Sequence, residues 1–149
     1  MGLTAGQIPK LANVLNGGVG VLTGTTIGTL GSNTNGITIY TAGASGGRVI
    51  GLSATTDDTT TVNVFLYIYR VTTVIPIGLI NIPLSSGNTF AARFVVDFLN
   101  GTNIPGLPID QTGRQYIHLL ANDVLKATSL ANLTATKSAW LNASGVDYQ

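Results

Sequence analysis

Residues 61–71 read Thr61-Val62-Asn63-Val64-Phe65-Leu66-Tyr67-Ile68-Tyr69-Arg70-Val71. β-Branched and aromatic residues dominate the stretch, which favours an extended chain, and extended chains point successive side chains to opposite faces. Val62, Val64, Leu66 and Ile68 then form one aliphatic face, suited to a core. Thr61, Asn63, Phe65, Tyr67, Tyr69 and Val71 form the other, an aromatic row that a free antiparallel sheet would have to show to water. Phe65, Tyr67 and Tyr69 are therefore expected to be covered. Either the chain's own N-terminal segment or its 101–113 loop does this, or a second subunit or other partner does.

Beyond Gly36 the chain is a series of short β-rich runs separated by turn residues, the spacing of sandwiches and barrels. Ile37 to Thr41, Arg48 to Ala54, Thr59 to Thr72 and Ile75 to Ile82 come first, divided by Gly43-Ala44-Ser45-Gly46-Gly47 and Asp57-Asp58. Phe90 to Leu99 alternates Phe90, Ala92, Phe94, Val96 and Phe98 and is read as strand. The competing reading is a helix with Arg93 and Asp97 paired and Gly101 as its cap. Gly101 to Gly113, with Pro105 and Pro108 between apolar residues, reads as a loop laid against the body. Tyr116 to Leu120, Val124 to Leu130 and Ala135 to Ala143 bring the total to about eight strands.

The N-terminal region reads differently. Pro9 suits a first helical turn, and Leu11, Val14 and Leu15 follow at helical spacing until Asn16-Gly17-Gly18 ends the pattern. From Val19 to Asn35, Gly and Thr with isolated apolar residues are too sparse for a packed strand and too apolar for a solvated linker. Residues 1–35 are thus expected to form an extended N-terminal arm, and residues 36–149 the body. A frayed end with one edge strand and an arm that orders on a partner both fit this region.

Composition narrows the function. The 149 residues include no cysteine and a single histidine, which excludes a thiolate site, a disulfide framework and a multi-histidine zinc site within one chain. Charged residues make up 9%, against about 25% in an ordinary soluble domain. Thr, Ser, Asn and Gly together supply 60 residues, so small polar groups replace the missing ions. With mean hydropathy +0.38, much of the surface is expected to lie against partners. A net charge of +1 without a basic stripe speaks against nucleic acid. No run of 18 apolar residues supports a membrane span, and the first residues lack the pattern of a secretory signal.

The chain carries no recognisable catalytic constellation. Asp57, Asp58, Asp97, Asp110, Asp123 and Asp147 mostly sit at turns; Asp57-Asp58 could hold calcium but is more simply a turn former. His118 alternates with Ile117 and Leu119 and reads as a satisfied or interfacial imidazole. Gly17-Gly18-Val19-Gly20 lacks the lysine and helix of a phosphate loop, and no Gly-x-Ser-x-Gly elbow is present. Trp140, with Asn142 on the same strand face, could serve as a sugar platform, although packing is the simpler role. No catalytic residue, metal or cofactor is expected.

Several segments carry a resemblance: Thr41-Ala42-Gly43-Ala44-Ser45-Gly46-Gly47-Arg48-Val49 leading into Gly51-Leu52-Ser53-Ala54, then Val62 to Tyr69, and Gly78-Leu79-Ile80-Asn81-Ile82-Pro83 with Ser86-Gly87-Asn88. Leu107-Pro108-Ile109-Asp110-Gln111-Thr112-Gly113 and Gly145-Val146-Asp147-Tyr148 complete it. Over residues 36–149 the chain resembles the head decoration, or cement, proteins of tailed phages. That resemblance implies an all-β, single antiparallel sandwich of jelly-roll type, and a non-enzymatic structural role on the outside of the capsid. It implies the major capsid protein as partner and a homo-oligomer, a trimer first, assembled in the host cytoplasm. Leu3, Ile8, Leu11, Val14 and Leu15 are then expected to dock on the capsid or a sister subunit, with Phe65, Tyr67 and Tyr69 on a covered face. The alternative is a carbohydrate-binding module of a virion fibre or tail.

Overall fold

Short alternating strands with no helix to cover them bury their apolar faces by stacking one sheet on another or by closing into a barrel. The computed structural model describes residues 12–23, 36–87 and 96–149, and every regular element among them is a strand. In chain order these are β1 (Ala12–Thr23), β2 (Ile37–Thr41), β3 (Gly47–Thr56), β4 (Val62–Arg70), β5 (Thr73–Ile82), β6 (Val96–Asp97), β7 (Ile117–Leu119), β8 (Val124–Ser129) and β9 (Ser138–Tyr148). One sheet runs β1-β9-β3-β6 with β7 also on β3, and the other runs β2-β8-β4-β5. All strand pairs are antiparallel, so the protein is an all-β antiparallel sandwich.

The pairing is nested. β4 pairs with β5, β3 with β6 and β7, β2 with β8, and β1 with β9. The chain is a long hairpin rolled upon itself, with its tip at Val71-Thr72. Consecutive strands lie in opposite sheets, except β4 with β5 and β6 with β7. Pro76 sits within β5, at the open edge of its sheet, where a missing N–H disturbs least.

At the hairpin tip Val71 holds φ at +56° and is 86% exposed. A β-branched residue is disfavoured there, and nothing is gained from burying it. Val71→Asn is expected to raise stability by about 1 kcal/mol, or the melting temperature by about 2–4 °C, in thermal melts followed by circular dichroism.

The core lies between the sheets. Val62, Val64, Leu66 and Ile68 point into it, as the alternation predicts, and meet Leu52, Leu125 and Leu141. Ile104, only 1% exposed, reaches from the 101–113 loop to Gly78 of β5. Leu107 packs against the same cluster, so this loop is indeed laid on the body.

The helical turn expected through Val14 and Leu15 is strand instead, part of β1. Its register with β9 runs from Ala12↔Tyr148 to Thr23↔Ser138. Cross-strand hydrogen bonds along this length outweigh a helical pattern one turn long. The glycines are contacts rather than breakers: a Cβ on Gly18 would overlap the backbone carbonyl of Ile39, and one on Gly20 would lie 2.6 Å from Ile37 Cδ1. β1 therefore rides directly on β2. Residues 12–23 of the expected arm thus form an edge strand of the sandwich. Of the Phe90–Leu99 strand, Val96–Asp97 pairs with Ser53 and Ala54, and 90–95 lie outside the described residues.

Aspartates knit the loops together. Asp123 is fully buried and accepts Arg70 Nε at 2.8 Å and Nη2 at 2.6 Å, while the Leu120 N–H donates to it as well. The Arg70 bond holds its carboxyl below the ordinary range despite burial. Asp147 accepts the Tyr40 hydroxyl and the Asn16 amide, each at 2.8 Å, tying β9 to β2 and β1. Burial, then that bond to Asp147, pushes the Tyr40 hydroxyl well above the ordinary tyrosine range.

Candidate functional site

β1 turns Gly18, Gly20 and Leu22 inward, so alternation sends Leu15, Val19 and Val21 outward. These are 86%, 63% and 40% exposed. Register sets Val21 beside Trp140 and Val19 beside Asn142 on β9, followed by Thr55 and Ser53 on β3. The result is an apolar rim on a face of small uncharged polar groups. β1 contains no charged residue and no proline, the two devices that usually keep an edge strand from pairing or sticking. A long edge strand with exposed valines and leucine is suited to contact with another protein.

Of the residues expected at an interface, Val14 and Leu15 lie on this exposed strand, while Leu3, Ile8 and Leu11 lie outside the described residues. Phe65 and Tyr67 require a correction. They stack with ring centroids 5.8 Å apart, and Tyr67 is only 1% and Phe65 only 9% exposed within the single chain. A Cβ on Gly36 would overlap the Tyr67 hydroxyl, so the lead-in to β2 lies against that ring. The aromatic face is covered within one chain, and no second copy is needed to hide these two rings. Burial, and then Tyr69, raises the Tyr67 pKa, and its hydroxyl has no hydrogen-bond partner among the described residues. Tyr69 is half-buried, with Lys126 Nζ 5.3 Å from its ring centroid.

Val19 and Val21 were not singled out from the sequence. Their signal is the alternation Val19-Gly20-Val21-Leu22, which glycine at the inward positions hides from any hydrophobic count.

The aspartates are committed to structure. Asp58 accepts from Thr60 and Thr134, Asp97 from the Leu99 N–H, and Asp110 from Thr112 and Arg114. The Thr112 hydroxyl, followed by the Arg114 N–H, lowers the Asp110 pKa. Asp57 and Asp58 are turn formers whose oxygens face donors, the wrong polarity for a cation, and no group of three metal-ligating side chains occurs among the described residues. His118 is exposed on the outer face of the first sheet, 6.2 Å from the Tyr148 ring. Trp140 is half-buried on the same side. Compared with known proteins, the chain matches no family model, no curated protein and no solved structure.

Proposed function

We propose that this protein is a non-enzymatic virion structural protein that decorates and stabilises a tailed-phage capsid by binding the outside of the head. The exposed, uncharged row Leu15, Val19 and Val21 on edge strand β1 carries this reading, because it is the kind of surface a permanent contact buries. The nested strand order supports a jelly-roll form of the sandwich, an architecture common in capsid domains. A charge-poor surface supports close packing against the major capsid protein and against sister copies, with a trimer as the expected oligomer. Many weak contacts repeated over a capsid add up to firm attachment.

The test is co-sedimentation with capsids lacking the protein, preceded by light scattering on the purified chain. The double variant Leu15→Asp/Val19→Asp should change stability by only about 0.5 kcal/mol per site, since both positions are exposed. Capsid binding should fall by about a hundredfold or more, as two charges enter an apolar contact. Undiminished binding of the variant would take the interface off β1. Failure of the unaltered chain to bind any capsid would remove the cement reading itself.

A further inference from the structure

In a chain with 13 Lys, Arg and Asp residues in total, four gather around one short loop. Residues 109–115 form a small projecting turn, closed by the Ile109↔Gln115 bridge and held by Asp110 N–H to Arg114 O at 2.9 Å and Gly113 N–H to Asp110 O at 3.0 Å. A cavity flanks it on each side. One, of about 420 Å³, is lined by Arg48, Asp110, Gln111, Thr112 and Tyr116. The other, of about 560 Å³, is lined by Asp97, Asn100, Arg114 and Gln115 with the apolar Ile50 and Leu99. Ile109, 62% exposed, borders both. Each cavity therefore holds one arginine, one aspartate and one glutamine.

In the first cavity an arginine and an aspartate share one wall, close enough for the Arg48 charge to act on Asp110. The Arg48 guanidinium lies 5.8 Å from the Tyr116 ring centroid, and its Nε is buried with no hydrogen-bond partner among the described residues. Nε is shielded from solvent, so a ligand in the cavity would meet the terminal amino groups of the guanidinium, which carry four of its five donors. Asp110 Oδ1 already receives three donors, from Thr112 N, Thr112 Oγ1 and Arg114 N, which locks the loop and leaves Oδ2 as an acceptor on the same wall.

The balance of charge disfavours a ligand of strong net charge of either sign. An anionic ligand would meet Asp97 and Asp110, and a cationic one would meet Arg48 and Arg114. A neutral molecule that both donates and accepts at many points, with apolar ring faces for Ile109 and Tyr116, meets no repulsion. We infer that the two cavities astride the 109–115 loop form a binding site for a neutral oligosaccharide, which would cross Ile109 with one end against Arg48 and Tyr116 and the other against Arg114. Both are open hollows rather than enclosed pockets, a shape that suits an extended molecule lying along the surface. This site is separate from β1 and from Trp140, and does not depend on attachment to a capsid.

Isotope-labelled protein would be titrated with maltohexaose, cellohexaose and chitohexaose, and with a galacturonic acid hexamer as the charged comparison, and followed by nuclear magnetic resonance. Saturable shifts at Arg48, Tyr116, Gln115 and Arg114 with a neutral hexamer, with Kd about 1 mM or tighter, are expected. Arg48→Gln and Arg114→Gln should each weaken binding about tenfold, the effect of losing a charged hydrogen bond, with melting temperature and capsid co-sedimentation unchanged. No shifts with any neutral hexamer would overturn the inference. So would shifts centred on Trp140 instead, or tighter binding of the galacturonic acid hexamer than of every neutral one.

Discussion

Replacing Asp58 with asparagine is expected to cost about 3 kcal/mol and lower the melting temperature by about 6–12 °C. Asp58 is fully shielded from solvent between the β3–β4 loop and the loop before β9. It accepts the Thr60 N–H and hydroxyl at 3.0 Å each and the Thr134 N–H and hydroxyl at 2.7 Å each. An amide fits the same space and its oxygen can keep the three bonds made to Oδ1, but its NH₂ then faces the Thr134 N–H that donates to Oδ2, so that bond becomes donor against donor and the charge that strengthens the other three is lost. Burial by itself would raise the Asp58 pKa, but the Thr134 and Thr60 donors together outweigh it and bring the value from 3.8 to about 2. A carboxylate with a depressed folded pKa contributes stability above its unfolded value, and that contribution disappears as pH falls toward the folded one. The unaltered protein should therefore lose at most about 2 kcal/mol from this group between pH 4 and pH 2, less whatever solvent screens. Urea unfolding across that range gives the check. The gap between the protein and Asp58→Asn should narrow as acid protonates the carboxyl, and a gap independent of pH would refute the assignment.

Gly18→Val is the second large effect. The new Cβ would overlap the Ile39 carbonyl, a backbone group held in β2 that cannot rotate away. Overpacking in a core costs about 1–3 kcal/mol, and a backbone clash belongs at the upper end. Because β1 is an edge strand, strain can also be relieved by detaching it. Hydrogen exchange should then quicken along residues 12–23 before the rest of the sandwich opens. Gly78→Ala is the control: a Cβ there meets only Ile104 at ordinary contact, 3.7 Å, and stability should stay within about 0.5 kcal/mol. Gly18→Val should also lose capsid binding on the proposed function, since it displaces the Leu15, Val19 and Val21 row. If it melts like the unaltered protein, β1 does not ride on β2.

The two glycine positions also show where sequence reading runs short. Hydrophobic periodicity detects side chains, and on β1 the inward side chains at positions 18 and 20 are absent, so the stretch reads as a helical turn followed by an arm too sparse for a packed strand. β4 is the opposite case. Both of its faces carry large side chains, and the aliphatic row at Val62, Val64, Leu66 and Ile68 lies in the core as its alternation requires. The opposite row was legible as covered but not as to what covers it, since an aromatic strand face looks alike whether its own chain or another hides it. The cluster around residues 109–115 was unreadable for a further reason. Arg48 and Asp97 come to it from distant parts of the chain, and only the pairing of β3 with β6 and β7 brings those strands alongside the loop that follows.

Composition and period-two alternation, which are local properties of the chain, determined the all-β class, the antiparallel sandwich, the core face of β4 and the scarcity of charge. The tertiary structure decided that β1 belongs to the sandwich, that Phe65 and Tyr67 are hidden within one chain, and which apolar residues remain outside. Those outcomes depend on close backbone approach and on contacts between residues far apart in sequence, such as Gly18 with Ile39 and Gly36 with Tyr67. No local pattern of side chains encodes a distance between two strands that meet only when the sheets stack.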